Sequence, residues 1–114
     1  MRPIKFRGKR LDNSEWCYGY YTFANNSHTI QWENEDNAPW WADVEPYTIG
    51  QFTGCSDKNG KEIYEDDVVL LKDNKVAVVK YQPNLYGFYA DFHTLDQWDM
   101  EVIGNIHDNP QYNR

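Results

Sequence analysis

Residues 47–82 read YTIGQFTGCSDKNGKEIYEDDVVLLKDNKVAVVKYQ, and the punctuation of this stretch decides the fold. Short runs rich in Thr, Val, Ile, Tyr and Phe occupy 47–53, 62–64, 68–71 and 75–82. Between them stand Asp57-Lys58-Asn59-Gly60 and Asp73-Asn74. Such side chains bond their own backbone, and Gly60 accepts positive φ. Runs this short, divided by such turns, are strands rather than helices. Downstream, Pro83-Asn84-Leu85-Tyr86-Gly87 is a looser connection. Residues 88–93 and 101–106 read as further strands, and 94–99 holds the one helical turn the pattern allows. The second half, 47–110, therefore has the proportions of an SH3-like small β-barrel, with a polar tail at 111–114.

Working upstream, residues 4–10 alternate Ile4 and Phe6 with Lys5 and Arg7, the period of a strand with a solvated basic face. Asp12-Asn13-Ser14 turns the chain into 15–23, rich in Trp and Tyr, which completes an extended N-terminal β-hairpin portion. Residues 29–32 form a short third strand. Residues 33–46 change character: Glu33, Glu35, Asp36, Asp43 and Glu45 surround Pro39-Trp40-Trp41, and Pro46 closes the stretch. That composition predicts a surface loop. The expected organisation is one mainly β domain over 1–114, its N-terminal β portion and loop at 1–46.

Composition supports this reading and narrows function. A chain of 114 residues fits one domain with one core. Its 9 Tyr, 5 Trp and 5 Phe suit pleated, half-buried surfaces. A net charge of −7 repels phosphate, so nucleic acid is disfavoured as a partner. The charge is uneven, however: Arg2, Lys5, Arg7, Lys9 and Arg10 crowd the first ten residues. Cys17 and Cys55 form no CxxC or zinc spacing and are expected to be reduced thiols. No apolar run reaches the roughly 20 residues that span a bilayer, and the N-terminus lacks the apolar core of a secretory signal. A cytoplasmic protein without membrane contact is the expectation.

Each chemical candidate meets a plainer explanation. Glu62, Glu65, Asp66 and Asp67 are dense enough for a metal or acid–base pair, but a turn entering a strand needs such residues anyway. His28, His93 and His107 have no second ligand at metal spacing on the same element, so no cofactor or metal is called for. Pairing of Cys17 or Cys55 with a histidine is a chance possibility in any chain this size. Phosphate-cradling and nucleophile-elbow motifs do not occur. What remains is aromatic: Trp40, Trp41 and Tyr86 fall in segments read as loops, where such rings serve as anchors for a partner or as stacking platforms for bases, unless the loop folds back and covers its own tryptophans on the barrel. Lys5, Arg7, Lys9 and Arg10 are the candidate contacts to nucleic acid or to another subunit.

The run Thr48-Ile49-Gly50-Gln51-Phe52-Thr53-Gly54, followed by Asp57-Lys58-Asn59-Gly60-Lys61-Glu62-Ile63-Tyr64-Glu65-Asp66-Asp67-Val68, resembles the signature of the YopX family. Ile4-Lys5-Phe6-Arg7-Gly8 with Trp16 and Tyr18-Gly19 is similar to that family's opening hairpin. Residues 101–110, from Glu101-Val102-Ile103-Gly104 to Asn109-Pro110, resemble its closing motif. One departure stands out: Glu65-Asp66-Asp67 occupies a place where the family commonly has Glu-Gly-Asp. The resemblance implies a bacteriophage or prophage protein, an SH3-type barrel and a homo-oligomer, and it carries no activity. The expected function is a non-enzymatic accessory protein that binds a host or phage protein or itself. The alternatives are nucleic-acid association through the basic strand, or an acidic surface that mimics DNA.

Overall fold

The computed structural model describes residues 4–91, 93–96 and 99–112. The protein is mainly β, and no α-helix occurs among the described residues. The chain forms two compact units, Met1–Gln51 and Phe52–Arg114.

The first unit holds β1 (Phe6–Lys9), β2 (Trp16–Ala24), β3 (Ser27–Glu33) and β4 (Pro39–Asp43), each antiparallel to its sequence neighbour. Asn25 and Asn26 join β2 to β3, both at positive φ (53° and 61°). A two-residue loop with that geometry matches the right-handed twist of its strands. Residues 33–46 were expected to be a loop, and the structure corrects this to a hairpin. Asn34 closes it: its side-chain oxygen accepts the N–H groups of Asp36 (2.9 Å) and Ala38 (3.0 Å), while Asn37 takes positive φ. Pro39 opens β4, where a missing N–H disturbs no ladder. Beyond β4 the chain returns to β1. Val44 bridges Arg10, Leu11 donates its N–H to the Asp43 carbonyl, and Glu45 donates to Lys9. The enclosed side carries Cys17, Ile30, Ala42 and Val44, with Phe6, Tyr21 and Trp32 packed against them. The basic strand also departs from its expected alternation. Ile4 is exposed, whereas Arg7, opposite Tyr18, is buried with its guanidinium over the Trp16 ring.

In the stretch after Val44, Pro46–Thr48 forms a 3₁₀ turn rather than the start of a strand, since Thr48 Oγ1 donates to the Glu45 carbonyl at 2.6 Å. β5 (Gly50–Ser56) begins beside β1 and continues into the second unit beside β6 (Glu62–Tyr64). There β7 (Asp67–Leu70), β8 (Val76–Gln82), β9 (Gly87–Ala90), β10 (His93–Thr94) and β11 (Glu101–Asn105) order as β10-β9-β8-β7-β11. Among the described residues no pairing joins the edge strands β10 and β11 of this sheet. Both of its faces are covered. Ile63, Val69, Ala77, Val79, Ala90 and Met100 form one cluster, and Val68, Val78 and Ile106 another. Within the expected strand over 88–93, β9 ends at Ala90, Asp91 takes φ 53° and His93 opens β10, while Phe92 lies outside the described residues. Of the expected helical turn at 94–99, Thr94 lies in β10, and Asp99 and Met100 donate back to the Asp96 carbonyl. Gln97 and Trp98 lie outside the described residues.

Candidate functional site

Residues opposite one another on antiparallel strands share a face, and faces alternate along each strand. In the first unit Tyr20 pairs with Gln31 and Gln31 with Trp41, so these three make one row across β2, β3 and β4. The next row along, Tyr21–Ile30–Ala42, points to the core, and Ile30 is fully buried. The first row therefore points out, and Tyr20 and Trp41 are 70% and 63% exposed. Register depends on Gly19, where a Cβ would collide with the Gln31 carbonyl, so only glycine lets β2 and β3 approach here. A shallow depression lies on each side of the row. One, of about 440 Å³, is lined by Thr22, Thr29, Trp41 and Asp43. The other, of about 600 Å³, is lined by Lys5, Tyr20, Glu33 and Pro39 among others.

The two predicted tryptophans separate. Trp41 belongs to this outer row, while Trp40 pairs with Trp32 and projects from the opposite side of β4. Both stand on a strand, not on the loop expected for them, because β4 pairs along its whole length with β3. Tyr86 is in the second unit, 88% exposed, in left-handed conformation after the 3₁₀ turn Pro83–Leu85.

The predicted basic track is largely engaged within the protein. The Arg7 guanidinium lies 4.6 Å over the Trp16 ring, and Lys9 Nζ lies 5.7 Å from the same ring. Arg10 grips Asp12 through two bonds, Nε to Oδ1 at 2.9 Å and Nη2 to Oδ2 at 2.7 Å. That bond raises the Arg10 guanidinium and holds the Asp12 carboxyl below its usual range.

Asp57 and Asp67 of the second unit serve its turns, and Asp66 serves an ion pair. Asp57 is buried; its Oδ1 accepts the Asn59 and Lys61 N–H groups and its Oδ2 accepts that of Val102, each at 2.9 Å. Burial alone would push this carboxyl up, but the bonds from Val102, Lys61 and Asn59 outweigh it and hold it below the ordinary value. Asp67 accepts the Tyr64 N–H at 2.7 Å. Asp66 adopts φ 73° and pairs with Lys80 Nζ and with His107 Nε2 at 3.2 Å. Among the described residues no His, Cys, Asp or Glu group has the arrangement to hold a metal ion. Cys17 is buried against the Gly8 carbonyl, and burial raises its thiol. His28 stacks on Tyr21 and bonds its hydroxyl. His93 is exposed at the edge in β10.

Tyr20, Gln31, Glu33 and Asp43 were missed as site residues. Finding them requires the β2–β3 and β3–β4 registers, and the Asn25-Asn26 and Asn34…Asn37 turns were the available signals. Among the described residues no helix is long and apolar enough to cross a membrane.

The architecture is thus that of an antiparallel β protein whose motif residues serve its own turns and whose first unit displays an aromatic sheet face. Residues 5–112 match the family model described as YopX protein, and the chain belongs to the YopX family. No curated protein matches it.

Proposed function

We propose that this protein is a non-enzymatic module of phage or prophage origin, acting in the host cytoplasm by contacting another protein or further copies of itself. The observation that carries this reading is the outward row Tyr20–Gln31–Trp41. Two large rings on one rigid sheet face lose little conformational freedom on binding, and such rings anchor protein interfaces. Nucleic acid has less support, since Arg7, Lys9 and Arg10 are already engaged with Trp16 and Asp12.

The finer fold reading belongs to the same proposal: an SH3-like small barrel for the second unit. Its support is five short antiparallel strands covered on both faces. Cross-strand amide contacts between β10 and β11 in solution would establish closure, and their absence would leave an open sheet.

Light scattering tests self-assembly directly. The wild type is compared with the Tyr20→Ala/Trp41→Ala double variant in 0.1 M and 1 M salt. A multimer that the double variant reduces in both salts supports association through this face. A multimer unaffected by the double variant places self-association elsewhere. A wild-type monomer at every concentration removes the self-assembly half and leaves partner binding.

A further inference from the structure

The outer face of the first unit contains two tryptophans in opposite electrostatic settings. Trp16, paired with Lys9 and diagonal to Arg7, is roofed by the chain's own cations. Trp41 has no ring contact and no cation above it among the described residues. Its neighbours on that face are carboxylates. Asp43 follows it by two residues on β4, about 7 Å along the strand. Glu33 lies on β3 two residues from Gln31, on the same face. Asp43 and Glu33 are exposed, and neither has an ion pair among the described residues. The depression that Trp41 and Asp43 share with Thr22 and Thr29 has no cation in its lining. On their other side Arg10 lines a second depression, but its guanidinium is already held by Asp12, and Lys5 lines the one beside Glu33. The Trp41–Asp43 end is thus the free half of a cation-on-tryptophan arrangement that Trp16 completes internally.

We infer that this face docks an extended, arginine- or lysine-bearing segment of a partner protein, with one cation seated on Trp41 beside Asp43. The charge complementarity is direct: a guanidinium stacks on an indole face and is held more firmly when a carboxylate flanks it. Tyr20 lies two strands from Trp41, about 10 Å away, so an extended segment crossing the row meets a second ring roughly three residues on. Gln31 between them offers an amide donor and acceptor to the segment's backbone. The inference rests on the proposed function and names the chemistry of the partner that reading requires.

The probe is a blocked heptapeptide of alternating threonine and arginine, titrated into the full chain by calorimetry at 0.1 M salt. Its control is the same peptide with citrulline, the neutral isostere, in place of arginine. Citrulline should weaken binding about tenfold, Trp41→Ala about tenfold and Asp43→Asn about threefold. Binding should also weaken at 1 M salt. Equal binding of the citrulline peptide, or unchanged binding to both variants, overturns the inference. So does a thymidine oligonucleotide that binds where the arginine peptide does not and is lost in Trp41→Ala, an outcome that assigns the rings to base stacking. If the arginine peptide fails while Tyr20→Ala/Trp41→Ala still lowers the assembly's mass, only the cationic partner is lost and the face remains an interface. If both fail, the proposed surface falls as well.

Discussion

The Asp57 turn and the Trp41 row use similarly polar sequence to opposite ends. At Asp57 both carboxylate oxygens are filled by backbone N–H groups from its own turn and from β11. Around Trp41 the carboxylates of Asp43 and Glu33 accept nothing among the described residues and face water beside an open ring. A saturated, buried acceptor stabilises the fold and has no capacity left for a ligand, while an unsaturated exposed one contributes little to stability and keeps that capacity. The contrast explains why the densest motif of the chain is architecture and the sparser segment is the candidate surface.

The largest effect expected from breaking this contrast is at Asp57. Asp57→Ala leaves three N–H groups without an acceptor and should cost about 3 kcal/mol by chemical denaturation; Asp57→Asn should cost less because one acceptor survives. A loss under about 1 kcal/mol would mean that water replaces the carboxylate and that the turn is no anchor. The same group sets an acid limb. Its folded-state carboxyl lies below the ordinary value, so its stabilisation is complete above the unfolded value of about 4 and is lost as pH falls further, through the folded value. Melting temperature followed below pH 4 should therefore fall less steeply in Asp57→Asn than in the wild type.

Next in size is Gly19→Ala, which attacks the support beneath the row rather than the row itself. The added carbon meets the Gln31 carbonyl, a backbone atom that moves only if β2 and β3 part. About 2–3 kcal/mol of destabilisation is expected. Full stability in this variant would show that the β2–β3 register is looser than the row requires. Asp66→Gly should be smaller, within about 1 kcal/mol of wild type. Glycine relieves the left-handed backbone at φ 73°, and the same change removes the partner of Lys80 and His107. Those two contacts give the physical reason for aspartate at this position.

How much of this was legible follows the same division. Turns announce themselves locally, so Asp57-Lys58-Asn59-Gly60 and Asp73-Asn74 were readable, and the strands between them followed. The 33–46 hairpin was not, because five carboxylates and two prolines hid a turn built from one side chain, that of Asn34. Burial of Arg7 was unreadable because a basic residue at alternate positions reads as solvated until Trp16 is placed against it. Trp41 was singled out for its oddness alone. Its partners Tyr20 and Gln31 are 21 and 10 residues away in sequence, joined only by register.

The smallest expected effect is the sharpest test of the contrast. Trp41 is 63% exposed on edge strand β4 and touches no other ring among the described residues, so its removal uncovers no core. Trp41→Ala should change stability by no more than about 0.5 kcal/mol, whereas Ile30→Ala, one position back on the neighbouring strand and facing inward, should cost about 3 kcal/mol. If Trp41→Ala instead costs more than about 1 kcal/mol, the ring is covering the sheet, its exposure is not spare, and the distinction between the saturated turn and the open row disappears. If stability holds while binding is lost, the energy of that ring is reserved for a partner.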